Sequence, residues 1–204
     1  MGVLPAQTIR DLCTPAVGGP PPLIEPFHER QAAEGLTWGL GPCTYDLRIV
    51  QRRVMLPFWQ LPLWCVYKLI DWIAVSTLHW RLRVPASLRL PGPFADYYCV
   101  FALGSTMERV CFPNDICGVV LDKSSWARRG LAVQNTKFDP GFKGFPTLEL
   151  SNHSLCTLII EAGTPICQFK FERLEAPTEM PYSGRYQDQG NAPTPYRPAS
   201  GVWE

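Results

Sequence analysis

Proline constrains this chain before anything else does. Twenty-one prolines are spread over 204 residues, about twice the usual share of roughly 5%. Each lacks a backbone donor and breaks a helix interior, so strands joined by tight turns are expected rather than long helices. Hydrophobic residues make up 46% of the chain, which supports a core and excludes disorder throughout. The length suits one all-β domain. Lysine and arginine number 19 against 18 acidic residues, a net charge of +1, which excludes a protein that coats DNA or RNA by charge alone.

Eight cysteines stand at positions 13, 43, 65, 99, 111, 117, 156 and 167, with no C-x-x-C pair among them. A chain this long builds a core without staples, and its N-terminus carries no secretory pattern. The thiols are therefore expected to be reduced and buried as small apolar residues, in a cytoplasmic compartment. Met1-Gly2 opens like an acylation site, but Ala6 stands where that motif needs Ser or Thr.

Residues 5–12 (PAQTIRDL) read as a short helix with Ile9 and Leu12 on one face, and TPAVGGPPPLIEP after it reads as loop. Thr44–Ile49 alternates like a strand. The Trp- and Leu-rich stretch 54–80 resembles a membrane span in composition, but Pro57, Pro62, Lys68 and Asp71 interrupt it. A short helix between Leu63 and Val75 is expected there. Its role stays open between a cap on the core or a subunit contact, a membrane-surface element and a partner-binding element. From Ala95 to Glu172, YYCVFAL, ICGVVL, TLELSN, TLIIEAG and PICQFKF read as short strands between turn signals, the pattern of a β-sandwich or small barrel. After Pro177 the tail is rich in Pro and Gly and cannot form a core. It is either disordered or an arm that orders over a site.

Two segments set polar residues beside strands. Asp122-Lys-Ser-Ser-Trp-Ala-Arg-Arg-Gly130 offers hydroxyls and cations that suit a polyphosphate, and equally suits a surface loop laced with salt bridges. In Thr147–Asn152, Glu149 lies between Leu148 and Leu150 and so faces away from both. Alternation alone favours solvent for that face; in a cleft, the same carboxylate would suit general acid–base work.

DKSSWARRGL, DPGFKG, TLELSN and PYSGRYQDQ, in that order, resemble the signature blocks of the dCTP deaminase family within the dUTPase-like superfamily. The resemblance is dense from about Ala102 to Gln189, with PTPYR echoing the tail, and weaker in IRDL, LIEPF and TYDLRI. It implies a distorted antiparallel β-barrel that assembles as a homotrimer with active sites at subunit interfaces. Residues 1–176 would form that domain, interrupted by an insertion at about 54–94, and 177–204 an arm closing over the site. It further implies Glu149 as the base that activates water for attack at cytosine C4. Ser124 and Arg128 would order that water, and Lys123 and Ser125 would join Ser124 at the triphosphate. Asp139 would lie near the sugar and Phe142 among the substrate-binding residues. Tyr182, Arg185 and Gln189 would close over phosphates and base, with Arg185 in place of the more usual lysine.

The implied reaction is dCTP plus water to dUTP and ammonia. Bifunctional relatives also hydrolyse the dUTP to dUMP and pyrophosphate, and a nucleotide-sensing protein without catalysis is the alternative from another class. Mg²⁺ would ride on the substrate triphosphate. Zinc deamination is excluded on ligands: none of His28, His79 and His153 is followed by x-Glu, and no C-x-x-C exists. No nucleic-acid or membrane partner is expected. The loop from Gln134 to Asp139 is two residues shorter than in many family members, where it helps form the base pocket and takes part in dTTP feedback. Asp122 stands where many relatives have glycine.

Overall fold

A computed structural model of the chain describes residues 2–33, 35–55 and 101–197. The 54–80 stretch beyond Met55, the helix expected between Leu63 and Val75 and the start of the strand expected after Ala95 lie outside the described residues.

The N-terminal part runs β1 (Gly2–Val3), α1 (Ala6–Cys13), β2 (Ile24–Glu25), β3 (Gln31–Ala33), β4 (Leu36–Leu40), β5 (Thr44–Arg48) and β6 (Arg53–Met55). The remainder runs β7 (Phe101–Ser105), β8 (Arg109–Cys111), β9 (Ile116–Asp122), α2 (Ser124–Ala127), β10 (Leu131–Val133) and β11 (Lys137–Phe138). It ends with β12 (Lys143–Gly144), β13 (Thr147–Asn152), β14 (Leu158–Ile160) and β15 (Pro165–Arg173). The fold is mostly β, with every pairing between named strands antiparallel.

β15 organises the core because PICQFKF alternates. Phe169 and Phe171 are fully buried while Gln168 and Lys170 are only half-buried. It lies between β5 and β9 in a seven-stranded sheet, with Phe169 opposite Tyr45 on one side and Val120 on the other. Phe112 packs its ring 6.4 Å from Phe169 and 5.9 Å from Phe171. Two three-stranded sheets, β10-β13-β7 and β12-β8-β2, and the pair β14-β6 curl around this core as separate, distorted pieces. α1 begins after the extended Pro5 and buries Ile9 and Cys13, one helical turn apart.

Several expectations change here. The loop after α1 contains β2, which pairs with β8, and β3 and β4 pair as a hairpin. Cys13, Cys111, Cys117 and Cys167 are buried, and burial pushes the Cys13 thiol up to about 12. Cys43 and Cys156, however, are exposed free thiols, against the expectation of burial.

Two polar knots fix the elements near the site. Buried Asn152 donates to the carbonyls of Met55 and Cys156, both at 2.9 Å, and accepts from the Ser154 amide and hydroxyl. It thereby joins the end of β13 to β6 and to the following turn. Buried Lys123 pairs with buried Asp46 at 2.5 Å, and the second Asp46 oxygen accepts from Gln168 Nε2 at 2.9 Å.

Candidate active site

β13 is the middle strand of its sheet, with Glu149 opposite Leu103 on β7 and Leu150 opposite Val133 on β10. Leu148, Leu150 and Asn152 point into the core, while Thr147, Glu149 and Ser151 share the other face. That face borders a cavity of about 500 Å³ rather than open solvent. The preference for solvent that alternation suggested is thus overturned for Glu149. The cause lies outside the strand: residues 136–139, Phe142, and Tyr182, Tyr186, Gln189, Thr194 and Tyr196 of the tail line this space.

The cavity is an aromatic box with a carboxylate on one wall. Phe142 is buried and holds its ring 4.9 Å from Phe138 and 5.7 Å from Tyr182. Flat apolar faces of this kind suit a planar heterocycle. The Thr136 hydroxyl donates to Glu149 Oε2 at 3.4 Å, and the Gln134 amide donates to the Glu149 carbonyl at 2.9 Å. Asp139 also lines the cavity, with Oδ1 3.1 Å from Lys137 Nζ; the hydrogen bond and charge of Asp139 hold the Lys137 ammonium above its ordinary pKa. Gln189 is buried, with Oε1 accepting from the Thr147 hydroxyl at 3.2 Å.

Glu149, Asp139, Phe142, Tyr182 and Gln189 therefore meet around one cavity within a single chain. Ser124, Ser125 and Arg128 do not line it. Ser124 and Arg128 are exposed on and just after α2, a turn held by the Trp126 indole N–H bonding the Pro165 carbonyl at 3.0 Å. Among the described residues, the Ser125 hydroxyl oxygen is buried without a hydrogen-bond partner. The Lys123 ammonium is enclosed in the ion pair with Asp46. Arg185 is exposed at the rim, its guanidinium 6.0 Å from the Tyr186 ring and 5.8 Å from the Tyr196 ring, and it donates to the Arg197 carbonyl.

Thr136, Thr147, Tyr186 and Tyr196 also face this cavity, and the reading of the sequence passed over them. Thr147 had a signal, because it stands two positions before Glu149 on a strand and so shares its face. Among the described residues, no group of three or more His, Cys, Asp or Glu converges to hold a metal ion.

A family described as dCTP deaminase-like matches residues 98–174. The dCTP deaminase of Campylobacter fetus subsp. fetus is 30% identical over 176 residues, covering 82% of this chain and 86% of the relative. A dUMP-forming dCTP deaminase of a Nocardioides species is 44% identical over 112 residues, covering 52% of this chain and 58% of the relative. Against the crystal structure of the 2'-deoxycytidine 5'-triphosphate deaminase of Agrobacterium tumefaciens, the identity is 16% and the TM-score 0.48, with 84% of this chain and 48% of that one covered. With three of the four signature blocks lying on the strand, loop and tail that enclose the cavity, and with the 30% identity to the Campylobacter enzyme, the chain belongs to the dCTP deaminase family.

Proposed function

We propose that this protein deaminates dCTP to dUTP and ammonia by hydrolysis, with Glu149 as the proton shuttle. The observation that carries the reading is a carboxylate on the middle of a strand, walled into an aromatic cavity by the protein's own tail. Family membership supplies the substrate class. In the reaction, Glu149 takes a proton from water and the resulting hydroxide adds to C4 of cytosine. The protonated carboxyl gives that proton to N3, then takes the proton of the new C4 hydroxyl and passes it to the exocyclic amine; the C4–N bond breaks, and ammonia leaves as the C4 carbonyl of uracil forms. Phe142 and Tyr182 offer ring faces to the base, Gln189 a carboxamide, and Asp139 a carboxylate toward the sugar.

Ser124, Ser125 and Arg128 enter this proposal from a neighbouring protomer of a homotrimer, where the exposed α2 of one chain would meet the cavity of another. Arg185 on the arm would meet the phosphates. Magnesium belongs to the proposal only as part of the substrate chelate, and no step is routed through an ion held by protein ligands. A domain spanning 1–176, interrupted at about 54–94 and closed by an arm over 177–204, and a cytoplasmic location, are parts of the same reading. Among the described residues, no helix is long and apolar enough to cross a membrane.

In a second reading the enzyme goes on to hydrolyse dUTP to dUMP and pyrophosphate, with Asp139 as the candidate acid. Its carboxylate shares the cavity with Glu149, and hydrolysis at the α-phosphate needs a second acid to orient water. A pure nucleotide sensor has no use for the Glu149 carboxylate. Incubation of the protein with dCTP and Mg²⁺, with dCTP, dUTP and dUMP resolved over time, decides among these. Accumulating dUTP with ammonia supports deamination alone, and dUMP with pyrophosphate supports both steps. Tight dCTP binding without turnover overturns catalysis.

A further inference from the structure

We propose that Gln187 is a positioning residue whose single carboxamide clamps the arm onto the loop that carries Phe142, and so sets affinity for the substrate. The role in substrate affinity rests on the deaminase reading above; the clamp itself does not.

Gln187 Nε2 donates to the Gly141 carbonyl at 2.9 Å, and Gln187 Oε1 accepts from the Lys143 amide at 2.9 Å. Gly141 and Lys143 flank Phe142, so one side chain holds the backbone on both sides of the buried ring. The next arm residues continue along the same segment. The Asp188 amide donates to the Lys143 carbonyl at 2.8 Å, and the Phe145 amide donates to the Gln189 carbonyl at 3.0 Å. This close approach depends on Gly144, where φ is +137° and a Cβ would lie 2.9 Å from the Gln189 nitrogen. Further along, the Thr147 hydroxyl accepts from the Thr194 amide at 3.0 Å while donating to Gln189. The arm is thereby bolted to the strand of Glu149 as well as to the loop of Phe142.

Gln187 does not line the cavity, whereas Gln189 does. It therefore acts through what it holds. Its length and neutral amide are both required: a carboxylate would face the Gly141 carbonyl with no proton to donate, and asparagine is one methylene short of spanning the loop.

Trypsin cleavage after the exposed Arg185, followed by mass, reads arm docking in the full chain with no nucleotide present. In Gln187→Leu, cleavage is expected to accelerate about tenfold, the scale of losing two neutral hydrogen bonds net of water, with an unchanged melting temperature. Gln187→Glu, which keeps the size and loses the donor, is expected to accelerate it as well and serves if the leucine variant fails to fold. With dCTP, KM is expected to rise by about the same factor while kcat stays within about twofold, because the clamp acts on binding rather than on the reacting atoms. Unchanged cleavage overturns the proposal, as does acceleration that merely follows a lowered melting temperature. An equal fall in kcat with unchanged KM overturns the role in affinity. If the wild-type protein binds dCTP without converting it, the deaminase reading fails while the cleavage result still decides the clamp.

Discussion

The Thr136 hydroxyl donates to the Glu149 carboxylate across the cavity, Oγ1 to Oε2 at 3.4 Å. The two residues come from different elements: Glu149 from the middle of β13, Thr136 from the segment just before β11. The loop thus delivers a hydroxyl to the carboxylate before the chain turns at Asp139-Pro-Gly.

Thr136→Val keeps the shape of that side chain and removes its donor. A hydrogen bond to an ionised group contributes on the order of 1.5–3 kcal/mol, less at this length, so kcat/KM is expected to fall about tenfold. Steady-state kinetics on dCTP check this. A variant as active as the parent would show that Thr136 only fills space.

Lys123 is expected to behave as a structural cation. Lys123→Met leaves Asp46 buried without its cation, with the Gln168 amide still bonded to it. Removing one partner of a buried pair costs about 3–5 kcal/mol, and Asp46→Asn in the same chain should recover much of it. Urea midpoints of the single and double variants test this. A midpoint unchanged by Lys123→Met, with KM alone raised, would return Lys123 to the phosphates.

Glu108 gives the fold a pH dependence of definite sign. Its carboxyl is fully buried, and burial lifts its pKa above the ordinary range, against the opposing pull of the Arg48 amide and guanidinium at 2.9 and 2.7 Å. The folded chain then binds that proton more tightly than the unfolded chain does. This contribution to stability is complete below the unfolded pKa and is lost as pH rises through the folded one. Urea unfolding of the parent and of Glu108→Gln between about pH 4 and pH 8 reads it, a range spanning ordinary and raised carboxyl values. The parent should lose stability relative to the variant as pH increases, and a parallel pair of curves would contradict the assignment.

Much of this site is legible along the chain, and the reasons for the remainder are physical. Glu149, Asp139 and Phe142 sit in short ordered blocks, and alternation places Glu149 opposite its leucines as β13 does. What alternation cannot say is what lies over a strand's outer face. Here the cover is Tyr182, Tyr186 and Gln189 from the tail, more than 30 positions downstream. The ion pair of Lys123 is hidden for a similar reason. Its sequence neighbours are hydroxyls and arginines, while its partner, Asp46, is 77 positions away. The hairpin β3–β4 is hidden because Gln31–Ala33 carries no β-branched or aromatic residue to mark a strand.

The most direct test of the account is the conversion of dCTP by Glu149→Gln, measured as dUTP and ammonia released, alongside dCTP binding by calorimetry. The amide still accepts from Thr136 but cannot take a proton from water. Binding should persist within a few-fold while deamination falls to background. Turnover near that of the parent would remove Glu149 from the chemistry and the deaminase mechanism with it.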